Sequence, residues 1–158
     1  MIDKVLLTQT VNDWLADKDL FLVDIKTTPN NEITVTIDSK GSTGVDIDQC
    51  LSLTRRIEEV FDRDVEDYEL EVGSAGLTAP FKVKEQYDKN INNPVEVLTR
   101  DGRKLHGVLT AVAPDFSNCT VTITKKVKEE GQKRPVMVEV PEIFPIDMIK
   151  SIIYEIKF

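Results

Sequence analysis

The sequence predicts an α+β protein in two parts: an N-terminal α-β-β-α-β domain over residues 1–82, a linker at 83–93, and a small all-β barrel over 94–158. Three observations carry this. Helical and strand periodicities alternate through the first part, strands alone follow Val95, and the charge changes between them. Residues 1–90 hold 19 Asp/Glu against 10 Lys/Arg, while residues 91–158 hold 9 against 10, so the two parts are electrostatically different objects.

The opening segment places Leu7, Val11, Trp14 and Leu15 at i, i+4, i+7 and i+8, one apolar stripe of an amphipathic helix, with Asp3 as its cap. "FLVDIKT" and "EITVTIDS" follow as a β-hairpin. Phe21, Val23 and Ile25 share one face and match Ile33, Val35 and Ile37, and Pro29-Asn30-Asn31 supplies the turn. In "GSTGVDIDQC", Asp46 caps a second helix and Gln49, three residues on, reaches back in a capping box. That helix runs to about Phe61 with Ile47, Cys50, Leu51, Thr54, Ile57 and Phe61 expected inward. "YELEV" is the third strand, Tyr68, Leu70 and Val72 alternating with Glu69 and Glu71. The alternation stops at "GSAG", and Pro80 forbids a simple continuation. Gly73, Gly76 and Pro80 are therefore expected to form a hinge between domains.

In the second part, "VEVLTR" and "RKLHGVLTAV" flank Asp101-Gly102, a dipeptide suited to a two-residue type I′ turn. "CTVTIT", "VMVEV" and "SIIYEI" are further strands. Five short, closely spaced strands suggest a small barrel, a shape that removes most sheet edges.

With 41% apolar and 30% charged residues, the 158-residue chain belongs among soluble globular proteins. No apolar run approaches the ~18 to 20 residues that span a bilayer, and polar interruptions in "MIDKVLLTQTVNDW" exclude a signal peptide, so the cytosol is the expected compartment. A net charge of -8 argues against sequence-blind nucleic-acid binding, which depends on cations meeting phosphates. Cys50 and Cys119, far apart, suit packing rather than a metal site or disulfide.

The motifs of catalysis are missing. Neither nucleotide-binding glycine fingerprint occurs, "GSAG" lacks the spacing of a nucleophile elbow, and the single histidine, His106, lies mid-strand. A hydrolase would need Ser74 and His106 to meet across domains. Glu69 and Glu71, two apart on a strand expected to be antiparallel, form a solvated face rather than an acid/base pair. The dense cationic cluster is Lys125, Lys126, Lys128, Lys133 and Arg134, in or beside one hairpin, with Arg100, Arg103 and Lys104 flanking the Asp-Gly turn. These side chains are either edge-guarding solvated cations or a phosphate-contacting finger. Patterning alone reaches a two-domain binding module.

"IDSKGSTGVDIDQCLSLTRRIEEVFD" and "YELEVGSAGLTAPF" together resemble the RimP family of bacterial ribosome maturation factors. The corresponding motifs are Ile37-Asp38-Ser39, the loop Gly41 to Gly44, Asp48-Gln49-Cys50, and Tyr68 to Val72 followed by Gly76-Leu77. Where that family commonly reads Ser-Ser-Pro-Gly and Arg-Pro-Leu, this chain has Gly73-Ser74-Ala75-Gly76 and Ala79-Pro80-Phe81. The resemblance implies a KH-like N-terminal domain and an Sm/SH3-like barrel. It also implies a cytoplasmic, non-catalytic factor without a cofactor that binds the immature small (30S) ribosomal subunit and assists its assembly. The acidic first part suits basic ribosomal proteins and the barrel loops suit rRNA phosphate, and a monomer is expected. A protein-protein adaptor without RNA contact is the alternative.

Overall fold

The computed structural model describes residues 1–41, 44–128, 130–131 and 134–156, and the chain divides into two units, Met1–Gly76 and Leu77–Phe158. In the first, helix α1 (Lys4–Leu15) starts where the Asp3 carboxylate accepts hydrogen bonds from the Val5 and Leu6 amides at 3.0 and 3.2 Å. Its stripe buries Leu7, Val11 and Leu15. Strands β1 (Leu20–Thr27) and β2 (Glu32–Ser39) form the expected antiparallel hairpin, with a correction of register. Pairing jumps between Leu22 and Asp24, which makes Val23 the extra residue of a β-bulge. Leu22 then faces Ile37 and Ile25 faces Val35 on the core side, whereas Phe21 pairs with Asp38 on the opposite side. The single face expected for Phe21, Val23 and Ile25 fails because one inserted residue reverses the alternation.

Helix α2 (Ile47–Val60) carries both halves of the capping box, Gln49 N–H to Asp46 Oδ1 at 2.7 Å and Asp46 N–H to Gln49 Oε1 at 3.0 Å. Its fully buried residues are Leu53 and Ile57, each contributing about 1.5–3 kcal/mol by burial. Ile47 and Leu51, expected inward, are 78% and 48% exposed. The inward line runs through half-buried Cys50 and buried Leu53 and Ile57 at i, i+3 and i+7, which turns the other two outward.

Strand β3 (Glu69–Ser74) lies parallel to β2, with Leu70 beside Ile33, Val72 beside Val35 and Gly73 beside Thr36. The strand therefore continues through Gly73 and Ser74 rather than ending at Val72. The sheet order is β1-β2-β3. Both helices share a core with Ile33, Val35, Ile37, Leu70 and Val72 on one face, leaving Glu69 and Glu71 on the other. Tyr68, immediately before the strand, donates its hydroxyl hydrogen to the Phe61 carbonyl at 2.8 Å, tying the end of α2 to the sheet. Ser39, buried at the end of β2, donates to the Gly41 carbonyl and accepts from the Gly44 amide.

In the second unit, the stretch expected as a linker is packed structure. The Phe81 amide bonds to the Ile152 carbonyl at 2.9 Å, and a short helix α3 (Lys84–Lys89) follows. Buried Gln86 turns its side-chain oxygen back to the Lys82 and Val83 amides. Tyr87 is 3% exposed, edge-on to Phe81 at 5.5 Å and to Phe116 at 5.1 Å. Five antiparallel strands follow: β4 (Pro94–Thr99), β5 (Lys104–Val112), β6 (Asn118–Val127), β7 (Val136–Pro145) and, after one 3-10 turn, β8 (Ile149–Tyr154). Their order is β7-β6-β5-β4-β8. Among the described residues no pairing joins β7 to β8, so the sheet is open where a closed barrel was expected. Pro141 and Pro145 lie on β7 opposite Thr122 and Asn118, and a proline has no N–H with which to extend a ladder.

The Asp-Gly turn also differs in type. Gly102 N–H bonds to the Thr99 carbonyl at 3.1 Å, Thr99 N–H bonds to the Arg103 carbonyl at 2.9 Å, and Gly102 has φ +93° while Asp101 does not enter the positive region. This is a three-residue loop, a type I turn closed by a left-handed glycine, with Thr99 Oγ1 donating to the Asp101 carboxylate. Hydrogen bonding to Thr99 holds the Asp101 carboxyl below its ordinary range.

Both cysteines are free. Cys119 is fully buried, and burial pushes its thiol up to about 11; burial and then the Asp46 carboxylate raise half-buried Cys50. At pH 8 a thiol of that acidity is only about one part in a thousand thiolate, the reactive form. Iodoacetamide at pH 8 is expected to label Cys50 first and Cys119 only after denaturation, read by peptide mass spectrometry. Equal labelling of the native protein would contradict this core. A second test concerns Gly107 on β5, where an added Cβ would lie 2.6 Å from the Thr122 carbonyl oxygen and 2.8 Å from Val121 Cγ1. Gly107→Ala is expected to lower the urea unfolding free energy by about 1–3 kcal/mol through overpacking against backbone.

Candidate functional site

The cations singled out in the sequence fall into two groups with different electrostatics. Lys125 and Lys126 are exposed near the end of β6, paired with Val138 and Met137, and Lys128 and Arg134 are exposed beyond the paired region; Lys133 lies outside the described residues. Because successive strand residues alternate, Lys125 and Lys126 point to opposite faces of the hairpin. Val136, Met137 and Val138, all exposed, add apolar surface to the same hairpin.

The second group is engaged within the protein. Arg103 bonds Glu142 Oε1 at 2.8 Å, and this pairing raises the guanidinium above its ordinary range. Lys104 lies 3.3 Å from Glu96, and Arg100 donates through Nε to the Asp147 carbonyl at 2.7 Å. Glu142 is four residues along β7 from Val138, roughly 13 Å, which exceeds the ~8 Å over which exposed charges act at physiological salt. Arg103 is therefore no extension of the Lys125 surface. The sequence shows cations at both places, but their partners, Glu96 and Glu142, lie on other strands and cannot be matched to them from spacing.

Ser74 ends β3 in the first unit, while His106 belongs to the second, its Nδ1 3.0 Å from Glu155 Oε1 just past β8. Among the described residues no group of three or more His, Cys, Asp or Glu side chains is placed to hold a metal ion. No helix among them is long and apolar enough to cross a membrane. Of the expected hinge residues, Gly73 is inside β3, Gly76 ends the first unit, and Pro80 directly precedes the anchored Phe81 amide.

One concave feature escaped the sequence reading. A groove of about 360 Å³ runs between α2 and β3, lined by Ile47, Cys50, Leu51 and Thr54 on the helix and by Val72 and Ser74 on the strand. Assigning Ile47 and Leu51 to the buried stripe concealed it. The competing signal is present in the i, i+3, i+7 set Cys50, Leu53 and Ile57.

The RimP N-terminal domain family matches residues 10–78, which spans most of the first unit. A Porphyromonas gingivalis protein named ribosome maturation factor RimP is 44% identical over 134 residues, covering 85% of this chain and 86% of its own length. Proteins of the same name from Flavobacterium psychrophilum and Christiangramia forsetii are 36% and 35% identical over 61% and 60% of this chain. Identity at this level over a length that reaches both units assigns the relationship: the chain belongs to the RimP family of ribosome maturation factors.

Proposed function

We propose that this protein is a non-catalytic, cytoplasmic assembly factor that binds the immature small (30S) ribosomal subunit as a monomer and promotes its maturation. The observation that carries the reading is the relationship to ribosome maturation factors along both units. In this proposal the first unit is a KH-like module and the second an opened Sm/SH3-like barrel, a pairing that suits binding without a cofactor. Such a factor favours one arrangement of the particle by binding it better than the alternatives, and it leaves when the mature arrangement removes its contacts.

Two surfaces divide the work in this proposal. The β6–β7 hairpin, with Lys125 and Lys126 on opposite faces and Lys128 and Arg134 beyond them, suits insertion between rRNA phosphates. Lys133 joins this set by sequence. Arg100, Arg103 and Lys104, held by protein partners, contribute less. The first unit has 17 Asp/Glu against 7 Lys/Arg, which suits basic ribosomal proteins. That imbalance also supports the alternative of a protein-protein adaptor without RNA contact. Gly76 and Pro80, with Gly73 just inside the strand, are the proposed pivot that lets both surfaces engage.

Co-sedimentation with immature and mature small subunits tests the function, with preferential retention on immature particles expected and equal retention counting against it. Salt dependence separates RNA contact from adaptor. Replacing Lys125, Lys126, Lys128, Lys133 and Arg134 together is expected to flatten the slope of log affinity against log salt by up to ~4 if each meets a phosphate. An unchanged slope would leave the adaptor reading.

A further inference from the structure

We propose that the open edge of β3, with the groove beside it, receives an extended segment of a basic protein as a fourth strand of the first sheet. Strand β3 is the last strand in the order β1-β2-β3, and no described strand pairs with its outer side. The Glu69 amide bonds to the Asn31 carbonyl and the Ala75 amide to the Ile37 carbonyl, so by the two-residue repeat Glu71 and Gly73 also face β2. Leu70, Val72 and Ser74 consequently direct their N–H and C=O groups outward. A strand added there would gain main-chain hydrogen bonds, and its alternate side chains would supply specificity.

The two faces of this edge state what the incoming strand must look like. On the helix side lies the groove, about 360 Å³ and walled by exposed Ile47 and Leu51 against Val72, within the ~300–1,000 Å³ of clefts that hold ligands. On the other side Glu69 and Glu71 are exposed neighbours of the edge, where cross-strand cations would pair with them. The matching segment alternates apolar residues toward the groove with Lys or Arg toward the glutamates. The acidic surroundings of the first unit, 17 Asp/Glu against 7 Lys/Arg, favour this occupant over a nucleic acid, whose phosphates Glu69 and Glu71 would repel. The inference does not depend on which ribosomal particle the protein binds.

The test uses the full chain and a fluorescent peptide of about ten residues alternating valine and lysine, with a valine-glutamate peptide and a uridine oligonucleotide as comparisons. Saturable binding of the valine-lysine peptide alone is expected. Bound peptide should slow amide hydrogen exchange at Leu70, Val72 and Ser74 by at least ~10-fold and leave Glu71 and Gly73, already bonded to β2, unchanged. Ser74→Pro removes an outward donor without touching the inward ladder, and Leu51→Lys places a cation in the groove. Each should weaken the peptide at least ~10-fold with circular dichroism unchanged. Absence of saturable binding, equal binding of the glutamate peptide, or exchange protection elsewhere overturns the proposal. Protection of the same three amides by the oligonucleotide would assign the edge to RNA, and protection by concentrated protein alone would assign it to a second copy.

Discussion

The first unit depends on the parallel pairing of β2 with β3. Two antiparallel strands are joined by a tight turn, but parallel neighbours need a long crossover, and here α2 supplies it. The crossover returns across one face, so Leu53 and Ile57 meet Ile33, Val35 and Ile37 there. The Asp46–Gln49 capping box starts the helix and the Tyr68 hydroxyl fastens its end, so both ends of the crossover are held by side chains as well as by packing. Asp46, Gln49 and Tyr68 are thus the joints of a crossover. The same geometry sets β3 at the sheet margin and creates the groove beside it.

The second unit answers a different constraint. Its sheet is antiparallel throughout and needs a cover for one face, which the chain provides before the first strand. Tyr87, wedged between Phe81 and Phe116, is held through Gln86, whose side chain satisfies two amides that an isolated turn would leave open. Burial raises the Tyr87 hydroxyl far above its ordinary range, so this group stays neutral at any physiological pH. The cationic hairpin rises from this sheet where its strands have outrun the core. The apolar alternation of β6 ends with Ile123, and Lys125 occupies the next position of the same register.

Element type and order were legible because local chemistry decided them. Asp3 and Asp46 precede apolar stripes, and the strands alternate plainly. Register was less so. The extra residue at Val23 shows only in the pairing with β2, and the outward turn of Ile47 and Leu51 depends on what Leu53 meets across the core. Gly102 marked a turn but not its type, which Thr99 settles by bonding Asp101 and the Arg103 amide. Residues 83–93 looked like a linker because six polar or charged residues surround Tyr87, and a single aromatic carries little periodicity. At the candidate interface the cations were visible individually, but their neutralisation was not, since the carboxylates opposite Arg103 and Lys104 come from other strands.

Strand β7 carries Pro141 and Pro145 on an edge strand, in register with Thr122 and Asn118. At those positions the unpaired margin has acceptors without donors, an interrupted row that another sheet cannot match bond for bond. The strand that exposes Val136, Met137, Val138 and Ile143 thus carries, on the same edge, the residue type that natural edge strands use against edge-to-edge pairing. The apolar, cationic hairpin of β6 and β7 thus shares its outer strand with two residues that cannot donate a main-chain hydrogen bond.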